Sequence, residues 1–158
     1  MSSMKKFISI AVVLAFMLES LAWAGLGSNK AMYVGGTLNQ MKENTEGKVS
    51  AKDATVFTFT HKGGTVSIPY DHVNDLEYGQ KAGRRLGLAI MVSPLLFFSK
   101  KRRHFLTVGY QDGDGKQQAA VFELGKDVVR VTLATLEART GRKIEYEDED
   151  ARNSGRGN

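Results

Sequence analysis

Apolar residues alternate with polar ones in three separate stretches of this chain: Val66, Ile68 and Tyr70; Leu106, Val108 and Tyr110; and Ala120, Phe122 and Leu124. A period of two puts such residues on one side of a pleated backbone, so each stretch predicts a strand with one buried face. Residues 55–60, rich in β-branched and aromatic side chains, predict a fourth strand. Residues 32–38 and 73–78 predict two more, and a short one is expected near 48–51. His61-Lys62-Gly63-Gly64 and Asp112-Gly113-Asp114-Gly115 supply glycine where hairpin turns need a positive φ.

After the last strand the period lengthens. Val129, Leu133 and Leu136 recur at i, i+4 and i+7, the spacing of one helical face, and predict an amphipathic helix over 126–140. Gly141 is placed to end it, with Arg139 in the last turn complementing the helix dipole. Ile144 and Tyr146 predict a brief extended segment. From Asp148 on, the chain is polar, and 147–158 is expected to be a disordered tail.

The chain has no cysteine, so its stability must come from a packed core. Residues 1–24 have the layout of a secretory signal peptide: Lys5 and Lys6, an apolar stretch over 7–18, and the small-residue site Ala22-Trp23-Ala24. That apolar stretch is shorter than the roughly 20 residues of a membrane-spanning helix. Cleavage before Gly25 is expected over retention as an anchor, and the product is exported, periplasmic or secreted. Beyond residue 24 a single domain is expected over 25–146.

The formal net charge is +5, of which Lys5, Lys6 and Glu19 contribute one unit. The excess is local. Arg84, Arg85, Lys100, Lys101, Arg102 and Arg103 flank one segment, whereas 145–150 carries Glu145, Glu147, Asp148, Glu149 and Asp150. An exported basic patch meets anionic lipid or polymer first, so nucleic acid is not the expected partner.

Between those basic clusters, 86–98 is apolar at ten of its 13 positions. As a helix it would reach about 20 Å, short of a hydrocarbon core of about 30 Å, and Pro94 interrupts it. Three readings are open: packing on the chain's own barrel or self-association, insertion into a membrane interface, and docking to another envelope protein. In all three, Ile90, Met91, Leu95, Leu96, Phe97 and Phe98 are the candidates for apolar contact. The six basic residues are the candidates for contact with an anionic surface.

The remaining candidates for chemistry are weak. Asp112, Asp114 and Glu123 fall at calcium-loop spacing, but Lys116 takes a ligand position and Gln117 replaces the required glycine, so a hairpin turn is preferred. His61, His72 and His104 lack zinc spacing. Asp71 and His72, adjacent in an expected strand, point to opposite faces, which leaves Asp71 a turn or capping role. Gly35-Gly36-Thr37 lacks the lysine and helix of a phosphate loop and suits close packing in a bent strand. Asp75, Glu77, Glu123 and Glu137 are too dispersed to form a hydrolytic pair. No catalytic residue, metal or cofactor is assigned, and a small envelope enzyme is the third and least supported function.

Tyr-Val-Gly-Gly-Thr near the start, Ile-Pro-Tyr-Asp-His-Val-Asn-Asp-Leu-Glu-Tyr, and a strand pair leading into a helix resemble bacterial members of the PH/GRAM-like group. Glu-Tyr-Gly-Gln-Lys-Ala-Gly-Arg-Arg, Lys-Lys-Arg-Arg-His-Phe-Leu-Thr and Leu-Glu-Ala-Arg-Thr-Gly are similar to stretches of secreted proteins of that kind. The resemblance covers about 31–146. It implies a mainly β, PH-like bent antiparallel barrel of about seven strands with a C-terminal helix and a basic-flanked insertion at 84–103. PH-like folds host lipid, peptide and protein binding alike. The headgroup pocket of lipid-binding relatives resembles a basic loop, whereas 39–48 here balances Lys42 and Lys48 against Glu43 and Glu46. A noncatalytic binding or scaffold module is therefore the expected function, with self-association or protein docking as the alternative.

Overall fold

The computed structural model describes residues 29–79, 91–92 and 103–156. Among these residues nine strands run in chain order: β1 (Lys30–Gly36), β2 (Thr45–Ser50), β3 (Val56–His61), β4 (Gly64–Pro69), β5 (Val73–Gly79), β6 (Met91–Val92), β7 (His104–Gln111), β8 (Gln117–Leu124) and β9 (Glu145–Tyr146). Helix α1 (Val129–Thr140) follows β8, and helix α2 (Glu149–Arg156) follows β9. The molecule is mainly β, with one open sheet in the order β4-β3-β2-β1-β8-β7-β5-β9 and β6 added to β1. Two antiparallel meanders, β1 to β4 and β5-β7-β8, thus join through the β1–β8 pair. Only β9 runs parallel to its neighbour, β5, among the described pairings.

Alternation sets which side chains enter the core. Tyr33, Phe57, Phe59, Leu76, Leu106 and Phe122 are inward members of five strands and belong to one buried cluster. The Phe122 ring lies 6.0 Å from Tyr33, 5.8 Å from Phe57 and 5.1 Å from Phe59 between centroids, within the range of favourable aromatic pairs. Helix α1 covers this face with Val129, Leu133 and Leu136, the spacing expected of its stripe. It stops at Gly141, whose φ of 68° lets its N–H reach the Glu137 carbonyl at 3.0 Å. The Glu137 carboxylate then accepts from Ile144 N–H at 2.9 Å and turns the chain toward β9.

The expected disordered tail is corrected by α2. Its apolar content is low, but small residues bring its backbone against the sheet: Ala151 is buried, and a Cβ on Gly155 would lie 2.8 Å from the Tyr146 ring. Asp148 caps the helix, accepting from Ala151 N–H at 2.7 Å, and the Arg156 guanidinium sits 5.3 Å from the centre of the Tyr146 ring. Ala151 and Gly155 stand one turn apart on one face, a signal too short for hydropathy periodicity to register.

Candidate functional site

The side of the sheet opposite the core is built from the alternate residues of the same strands. Register aligns Glu77, Thr107 and Val121 across β5, β7 and β8, and Phe105, Glu123 and Met32 across β7, β8 and β1. Between Tyr33 and Gly35 the β1–β8 register shifts at a bulge, and Val34 is the extra residue. Val34, Phe105 and Val121 form a second apolar cluster, separate from the core, with Met32 packed against it. Toward β3 this face becomes basic. Lys30 on β1 lies directly opposite Lys48 on β2, both exposed, and they line an open cleft of about 780 Å³ together with His61 and Lys62 of the β3–β4 hairpin and the carboxylates Glu46 and Glu123, so that three lysines face two acids. Like charges facing each other across strands repel, so this pair favours an anion on the outer face.

Most of the sequence candidates, namely Arg84, Arg85, Ile90, Leu95, Leu96, Phe97, Phe98, Lys100, Lys101 and Arg102, lie outside the described residues. Met91 is described through its backbone: β6 pairs Met91 with Gly36 and Val92 with Gly35, fixing the middle of the apolar run to β1. Arg103 is held by Glu123 in an ion pair at 2.9 Å on the outer face, which makes it a structural anchor for the start of β7. Lys30 is not among the sequence candidates. Its pairing with Lys48 depends on register, which the charge balance within 39–48 does not contain.

The histidines do not converge. His72 Nδ1 is 3.0 Å from the Gln111 carbonyl and His104 Nδ1 is 2.5 Å from the Tyr78 hydroxyl, at opposite ends of β7 and so roughly 24 Å apart along the strand. His61 Nδ1 accepts from Gly63 N–H at 3.2 Å within its hairpin. Asp71 and His72 occupy a 3₁₀ turn, Tyr70–His72, rather than a strand. Asp112 organises the β7–β8 turn, its carboxylate accepting from Asp114 N–H at 3.0 Å, Lys116 N–H at 2.9 Å and the Gln118 amide at 2.7 Å. Those bonds hold its carboxyl below the usual range. Among the described residues no three His, Asp or Glu side chains are grouped to hold a metal ion. No helix among them is long and apolar enough to cross a membrane.

Burial pushes the His104 imidazole below its ordinary value of 6.5, and Lys126 adds to the shift. The unfolded chain therefore binds this proton more readily than the folded one. The stabilising contribution is complete above the unfolded value and is lost as pH falls through the folded one. Urea midpoints measured between about pH 7.5 and 5 are expected to fall less steeply with acid in His104→Gln than in the parent. Equal slopes would remove His104 as the titrating group.

Neither protein-family models nor curated protein sequences yield a match to this chain.

Proposed function

We propose that this chain is a noncatalytic binding module of the cell envelope, exported and PH-like, that contacts an anionic surface such as a lipid headgroup layer. The seven longer strands in two meanders followed by a helix support the PH-like reading. The observation that carries the function is the shared outer face. Lys30, exposed and opposite Lys48 of β2, stands on β1, the strand that β6 joins through Gly35 and Gly36. Lys62 lines the same cleft, alongside Glu46 and Glu123, and in this proposal the flanks at Arg84, Arg85, Lys100, Lys101 and Arg102 add their positive charge to that of the three lysines. Each basic side chain near an anionic membrane contributes about 1 kcal/mol, so eight give ample attraction for peripheral binding.

Replacing Lys100, Lys101 and Arg102 with glutamate is expected to lower the partition coefficient onto phosphatidylserine-containing vesicles by at least about 100-fold, with the thermal transition little changed. Arg103 is left in place because it anchors Glu123. Unchanged partitioning would refute the role of this flank.

A second reading, self-association or docking of an envelope protein through the same segment, draws on the apolar outer cluster of Val34, Phe105 and Val121. Light scattering distinguishes it: a dimer that dissociates on Leu96→Asp with Phe97→Asp favours it, and a monomer at all concentrations excludes self-association.

A further inference from the structure

The outer cluster poses a packing question that the core does not answer. Val34 and Val121 are 0% exposed, Thr107 is 1% and Phe105 is 5%, although all four face away from the core. Every described member of the cluster comes from β1, β7 or β8. One sheet does not bury its own face, so a second layer is required.

We infer that this layer is the chain's own apolar run, 86–98, laid across the outer face of β7, β8 and β1. Three observations select it over a second copy or a foreign partner. The first is where the run leaves and returns. It departs after Gly79, whose partner across the β5–β7 pair is Phe105, and it rejoins through Arg103, two positions before Phe105. The second is where its middle lies. Met91 and Val92 pair with Gly36 and Gly35, next to Val34, on the edge of β1 that β2 leaves free beyond Tyr33. Both ends of the run are thus at one side of the cluster and its middle is at the other, with Val121 on β8 between them.

A chain joining those points crosses the sheet on one of its faces. The core face is filled by Tyr33, Leu106, Phe122 and the residues of α1, so the outer face is the route. From β5 to β6 the crossing covers four strand spacings, about 19 Å, and eleven residues, 80–90, reach up to about 36 Å. The third observation is charge. The β5 margin of the same face carries Asp75 and the buried Glu77, complementary to the basic residues at both ends of the run. In this arrangement the apolar residues serve as the third layer of the domain. The inference concerns folding back within one chain and holds whether or not the surface binds lipid.

The chain contains no cysteine, so Val121→Cys introduces a single thiol at the centre of the face. Its alkylation by iodoacetamide in the full chain, followed by intact mass, is expected to be at least about tenfold slower than in the same variant with 86–98 replaced by a glycine-serine linker of equal length. Thr107→Cys, close in size to the native side chain, is a second reporter. Leu96→Asp with Phe97→Asp, which alters no chain length, is expected to raise the alkylation rate of either reporter by a similar factor. Equal rates with and without the run overturn the inference. So does protection that grows with protein concentration, which gives the face to a second copy, or protection lost on removing 1–24 instead.

Discussion

Phe122→Ala is expected to destabilise the protein by about 3–5 kcal/mol, the range for removing a fully buried aromatic ring without room to collapse. Phe122 is 0% exposed and its ring meets those of Tyr33, Phe57 and Phe59. It also sits on β8, which pairs with β1 on one side and β7 on the other, where the two meanders join. The cavity therefore opens at the seam of the sheet, bordered by strands of the β1–β4 meander whose hydrogen bonds hold them in place. Domains of this size are stable by about 5–15 kcal/mol, so one substitution removes a large share. A urea titration should show the midpoint falling with an unchanged slope. Val131→Ala on the solvent side of α1, where Val131 is 70% exposed, is the control and should lie within about 0.5 kcal/mol of the parent. A loss below about 1 kcal/mol for Phe122→Ala would mean that the seam is not packed as described.

Gly36→Val is expected to be comparably severe through a different cause. Gly36 has a φ of +139°, and a Cβ there would lie 2.3 Å from the carbonyl oxygen of Ala119. That neighbour is backbone, so no side chain can swing aside. The backbone strain alone is about 1–3 kcal/mol, and the overlap adds to it. Relief requires β1 and β8 to separate at this point. Separation would break the bond from Thr37 N–H to the Ala119 carbonyl at 2.8 Å and that from Ala119 N–H to the Thr37 hydroxyl at 3.0 Å. It would also disturb the pairing that holds Met91 against Gly36. Gly64 supplies the comparison, with a φ of +145° and nothing within 4 Å of the place a Cβ would take. Gly64→Ala carries only the backbone strain, and its urea midpoint should fall by clearly less than that of Gly36→Val. Equal effects would show that the contact with Ala119 contributes nothing.

The parts of the fold legible from sequence are those set by local periodicity. Leu106, Val108 and Tyr110 mark β7, and Ala120, Phe122 and Leu124 mark β8, because alternate residues share one face. Val129, Leu133, Leu136 and Gly141 likewise mark α1 and its end. The outer face is harder to see. Phe105 and Val121 occupy the positions that alternation leaves for solvent, and a strand buried on both sides loses its clean polar stripe. The Lys30–Lys48 pair follows from a register set by strands pairing across a loop, which neither strand encodes alone. Helix α2 escapes a reading by periodicity because its contact is made by Ala151 and Gly155, residues whose value is their small size rather than their hydropathy. The basic-flanked run itself is legible as composition, but its junction with the sheet depends on β2 ceasing to pair with β1 at Tyr33.

The most direct test of the anionic-contact reading is cosedimentation of residues 25–158 with vesicles of phosphatidylcholine alone and with about one third phosphatidylserine, at low and high salt. A peripheral cationic surface should bind the anionic vesicles, release at about 0.5 M salt, where screening shortens to a few ångströms, and leave the neutral ones unbound. Equal binding to both vesicle types, or none to either, would contradict it.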